Sequence, residues 1–358
     1  MNQNQNNEFF SGSAEPDYRL DKRALSRMGL GCFAATAIST GLSLLADLIV
    51  ARTAPQIRDS WIYSVVMQVV IMYCIAIPSG ILIIRTSGIK ATEPPADEKM
   101  SLGGIIYTLI VSSPLTLLGV IASNIINQVI SAVSGGSNSS SGISALISDW
   151  PLWAIFLIVV VVGPIAEELL FRKTLTEALR PWGWKFAAFV SGAAFGLFHG
   201  NVEQMVYAFI IGVLLACVYL KTGKIRYSII LHMAFNFFGS FVTLAIMRLT
   251  TNPADLEAYA ELANSVSGSY LSEMPPEFAE LSIRMMPFTL ATIGYYAFLG
   301  GVLIAGLILI IPAARSFSFR EGERKIQRSY LGDTMFLAPG VILFILISVV
   351  EIVLSVLL

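Results

Sequence analysis

The sequence predicts an all-α fold, a polytopic transmembrane helical bundle with about eight to nine transmembrane helices. Three observations predict it. Of 358 residues, 55% are hydrophobic and only 13% are charged, whereas soluble domains carry roughly a quarter charged residues. The mean hydropathy is +0.73. The apolar residues also gather into runs that approach the roughly 20 residues needed to cross a bilayer.

Taken in order, residues 1–28 read as a polar cytoplasmic tail that opens with "MNQNQNNEFFSGSAEPDY". "LGC" at 30–32 looks like a lipoprotein cleavage site, but the preceding "DKRALSRM" is not apolar. No removable signal peptide is therefore expected. Residues 29–358 form a single transmembrane domain. Its candidate helices are 29–50, 61–84, 102–130, 152–171 or longer, 185–202, 204–221, 226–247, 291–311 and 335–358. A Gly/Ser-rich stretch, "SAVSGGSNSSSG", follows the third helix. The loop 248–290 has room for short amphipathic helices at the membrane surface. No internal repeat of the inverted-transporter kind is visible.

Charge placement orients the chain. With the N-terminus cytoplasmic and nine alternating helices, 19 of the 23 Lys and Arg fall in inside segments. Only Arg52, Arg58, Arg248 and Arg284 fall outside. That bias matches the positive-inside rule and places the C-terminus outside. The net charge of −1 provides no general attraction for nucleic acid, so none is expected as a partner. Cys32, Cys74 and Cys217 lie far apart within apolar runs. They read as buried small hydrophobes, not as a disulfide or metal set.

Ionisable groups inside a membrane are costly and normally face a protein interior or a wet cavity. Three stretches between about 150 and 247 carry them. In "EELLFR", Glu168 and Arg172 stand four apart and share one helix face, while Glu167 is turned about 100° away. In "FGLFHG", His199 closes an apolar run. In "LHMAFNFFG", His232 and Asn236 again stand four apart. The glutamates can meet the histidines only if the fourth helix continues past Phe171 to about Leu179, which puts Glu168 about 16 Å from its end. "RPWGW" at 180–184 then makes the turn. Gly192, Gly196 and Gly200 have small-xxx-small spacing, which suits close helix packing.

The ordered set "EExxxR", "FxxxH", "HxxxN" resembles the CPBP family of intramembrane proteases. That family includes the type II CAAX prenyl endopeptidases and bacterial members linked to bacteriocin processing and immunity. The matched region runs from about 160 to 240, and no motif position departs from the pattern. The resemblance implies hydrolysis of a peptide or membrane-protein substrate at a bacterial plasma membrane. It implies Glu167 as general base, with His199 sharing the water. His232 and Asn236 would be oxyanion donors, and Glu168 and Arg172 a supporting pair.

Three further readings stand beside the metal-free one. Glu167, His199 and His232 could instead hold zinc, because two histidines and a carboxylate with an open position form a catalytic zinc set. Asn236 favours the version with no cofactor, since an amide is a poor zinc ligand and a good oxyanion donor. A non-catalytic scaffold or immunity protein could also keep this fold, although all six motif residues are present. A transporter is the remaining class.

Overall fold

The computed structural model describes residues 18–90, 96–134, 149–266, 276–316 and 331–357. Among them the secondary structure is helical throughout. In chain order the helices are α1 (Tyr18–Thr53), α2 (Trp61–Ser87), α3 (Leu102–Ser134) and α4 (Leu152–Trp182). Next come α5 (Trp184–Phe198), α6 (Val202–Thr222) and α7 (Ile225–Thr250). The chain closes with α8 (Pro253–Val266), α9 (Pro276–Arg284), α10 (Met286–Ser316), α11 (Leu331–Phe336) and α12 (Pro339–Leu357).

Eight of these are long and apolar enough to cross a membrane, and the polytopic bundle is as expected. All nine sequence-derived helices are present, but one is short. α5 has 15 residues and stops at Phe198, not at 202. α1 starts at Tyr18, not near residue 29, because its polar first turns have partners. Lys22 Nζ lies 2.8 Å from Asp333 Oδ1 of α11, and the Tyr18 hydroxyl donates to the same carboxylate. Residues 18–28 of the expected tail are therefore helical, and 1–17 lie outside the described residues. So does most of the Gly/Ser-rich stretch. The loop after α7 holds two helices, α8 and α9, which pack on one another.

Burial identifies the central helix. Half of the apolar window of α4 is covered by protein, against 11% for α1, α7 and α10. The main core gathers Leu170, Phe171 and Leu175 of α4 with Phe195 and Phe198 of α5 and Met28 and Cys32 of α1. Two aromatic edge contacts, Phe171 on Phe195 and on Phe198, join α4 to α5. Without a hydrophobic drive between helices in lipid, close approach depends on small residues. A Cβ at Gly192 would come within 2.5 Å of Val213 Cγ2, and one at Gly196 within 2.6 Å of the Met205 carbonyl. These two glycines thus seat α5 on α6, as their spacing suggests. The same device joins α1 to α12, where a Cβ at Gly29 would meet Val341 N at 2.5 Å. Among the cysteines, Cys32 is buried, but Cys74 is exposed and corrects the expectation that all three are interior.

Candidate active site

Glu167 and Glu168 lie on the α-helical turns Gly163–Glu168 of α4. On both sides, Phe156–Val162 and Leu169–Thr176, the helix widens to i→i+5 hydrogen bonding. Such widened turns concentrate at functional sites. The helix does continue through Leu179, and "RPWGW" turns the chain with Gly183 at φ 95°. Both carboxylates are therefore inside the span, not at its end.

The two glutamates face different surroundings. Glu168 and Arg172 are both 0% exposed, with Arg172 Nε 3.1 Å from Glu168 Oε2. The contact is an ion pair by distance but is not aligned as a hydrogen bond. No guanidinium nitrogen has a hydrogen-bond partner among the described residues. Instead the guanidinium carbon sits 4.8 Å from the Phe195 ring centroid, a cation–π arrangement. Charge neutralisation, more than hydrogen bonding, makes this buried pair tolerable.

His232, brought in by α7, lies between the two carboxylates. Its Nδ1 is 3.1 Å from Glu168 Oε1 and its Nε2 is 3.6 Å from Glu167 Oε2. The Glu167 side chain keeps 18% exposure, which leaves one carboxylate open to the cavity and the other sealed behind the ring. His199 follows the last turn of α5, with Nδ1 2.8 Å from the Phe195 carbonyl. A carbonyl only accepts, so Nδ1 carries the hydrogen there, and Nε2 is left for other partners. The Asn236 amide donates to the Val159 carbonyl at 2.8 Å, which uses one of its two N–H groups.

These side chains surround a cavity of about 270 Å³ lined by Glu167, His199, His232 and Asn236. Glu168 and Arg172 do not line it. They stand behind His232 and Glu167. Four of the six sequence-derived residues thus share one space, and the other two support it. Tyr73 of α2 also lines the cavity, accepts from Gln68 Nε2 at 3.3 Å, and has no motif to reveal it. Its approach depends on Gly163, where a Cβ would lie 2.9 Å from the Tyr73 hydroxyl. Among the described residues, no three His, Cys, Asp or Glu side chains converge as metal ligands. As placed, Glu167, His199 and His232 do not fit a zinc ion.

Residues 149–238 match the family model described as type II CAAX prenyl endopeptidase Rce1-like. The resemblance read from the three motifs therefore holds for this segment, about a quarter of the chain. Two curated relatives are similar. One is the "Putative membrane peptidase YdiL" of Bacillus subtilis (strain 168), 29% identical over 31% of this chain and 46% of that protein. The other is the membrane-embedded CAAX protease MroQ of Staphylococcus aureus (strain USA300), 29% identical over 43% of this chain and 64% of that protein. The match thus spans about half to two thirds of these relatives. No solved structure matches this chain.

Proposed function

We propose that this chain is an intramembrane endopeptidase that hydrolyses a peptide bond in the cavity between α4, α5 and α7. The observation that carries the reading is the convergence of Glu167, His199, His232 and Asn236 on one cavity, within the segment that matches the CAAX endopeptidase family. The substrate is a peptide or membrane protein in the bilayer, and the setting is a bacterial plasma membrane with the N-terminus cytoplasmic.

Hydrolysis needs a held water, a base and donors for the developing oxyanion. Glu167, the carboxylate open to the cavity, takes a proton from the water. His199 Nε2 holds the same water, because Nδ1 is fixed on the Phe195 carbonyl. The water oxygen attacks the scissile carbonyl carbon as that proton moves to Glu167. The carbonyl oxygen then gains negative charge and receives the free N–H of Asn236. His232 can be a second donor only through Nε2–H, since Nδ1 is directed to Glu168. As the C–N bond breaks, Glu167 passes its proton to the leaving amine. Glu168 and Arg172 hold the His232 ring in place.

The test is cleavage by purified protein in liposomes with Glu167→Gln and His199→Ala. Both variants are expected to insert and unfold like the parent while losing turnover. If deletion of the gene is complemented by both variants, the scaffold reading takes its place.

A further inference from the structure

The catalytic cavity has a polar neighbour. A second cavity of about 210 Å³ is lined by Thr36, Ser39 and Thr40 of α1, Glu351 of α12, and the His199–Gly200 turn. His199, Phe198 and Met72 line both cavities, so the two spaces lie on either side of a shared wall that includes His199.

Four features indicate that this second space is built for water. Glu351 is a carboxylic acid inside the membrane span of α12, a position that normally faces a wet cavity. The Thr40 hydroxyl donates to its Oε1. Thr36 is 3% exposed, and its hydroxyl has no hydrogen-bond partner among the described residues. Buried polar atoms of that kind are normally satisfied, commonly by water. Gly200, at φ 63°, admits the carboxylate, since a Cβ there would lie 2.8 Å from Glu351 Oε2.

The volume has room for several waters at about 30 Å³ each.

We propose that the Thr36–Ser39–Thr40–Glu351 cavity is the water-access site of the enzyme, holding the co-substrate water in contact with His199. Glu351 is a positioning residue that keeps this space polar and hydrated. This role rests on the endopeptidase reading, because hydrolysis consumes one water per bond cleaved.

The experiment uses full-length chain in liposomes with Cys32, Cys74 and Cys217 replaced by alanine. Ser39→Cys is treated with a charged, membrane-impermeant thiosulfonate, and Leu45→Cys, on the outward face of α1 (53% exposed), is the control. Ser39→Cys is expected to react much faster than Leu45→Cys, and its modification should lower kcat with peptide KM unchanged. Glu351→Leu should lower kcat about ten-fold, the effect of one hydrogen bond on a barrier, and slow the labelling of Ser39→Cys. Glu351→Gln should restore both. Labelling no faster than the control, or full turnover after labelling, would overturn the water-access role. If the parent protein cleaves nothing yet Ser39→Cys labels rapidly, the endopeptidase reading fails while the hydrated cavity stands.

Discussion

The Nδ1 of His232 stands 3.1 Å from Oε1 of Glu168, 64 positions away in the chain. That contact ties α7 to α4 and turns the other ring nitrogen toward Glu167. It depends in turn on the charge balance between Glu168 and Arg172, both fully buried.

Arg172→Met is therefore expected to destabilise the protein by about 3–5 kcal/mol, the cost of leaving a buried charge unpaired. The double variant Glu168→Leu with Arg172→Met should recover most of that stability but not activity, because His232 loses its anchor. Thermal unfolding in detergent and peptide turnover, measured side by side, give the answer. Strictly additive losses in the double variant would show that the two groups are not coupled.

Asn236→Ala is expected to reduce kcat by roughly 10²–10³, the range for one oxyanion donor, with a much smaller change in KM. A larger change in KM than in kcat would instead assign Asn236 to substrate binding.

Turnover should survive exhaustive chelation, and elemental analysis should find no stoichiometric zinc. One zinc per chain, with activity lost on its removal and regained on its return, would require Glu167, His199 and His232 to rearrange around the ion.

Gly192→Val places methyl groups where Val213 already stands, at 2.5 Å from the built Cβ. Overpacking of this kind costs about 1–3 kcal/mol. It should also displace His199 at the end of α5, so activity is expected to fall more than stability. Gly41→Ala, with nothing within 4 Å, is the control and should lower neither, since alanine favours a helix interior over glycine.

Much of the site was legible from residue type alone. Glu167, Glu168, Arg172, His232 and Asn236 stand out because polar groups in apolar runs are costly, and their spacing sorts them onto shared faces. The same rule applied to α12 would have found Glu351, the acid in "SVVEIVL", which the motif reading passed over. Other features had no local signal. Which carboxylate meets which nitrogen of His232 depends on how α7 crosses α4. The end of α5 at Phe198 depends on Gly200 adopting φ 63°, and glycine in an apolar run looks the same whether it packs or turns. Tyr73 enters the cavity only because Gly163, far along the chain, leaves it space. The early start of α1 required Asp333, more than 300 positions away, as partner for Lys22.

Gly340 N–H donates to the Ser26 hydroxyl across 314 positions of sequence, and this α1–α12 seam has a consequence for how the protein assembles. Helices that insert in order leave the inner face of α1 without its partner until α12 arrives. The seam is thus among the last contacts to close, and so long a loop costs more entropy to close than the short-range contacts before it. Until it closes, Glu351 is not beside Gly200, and the polar space next to His199 lacks its acidic wall.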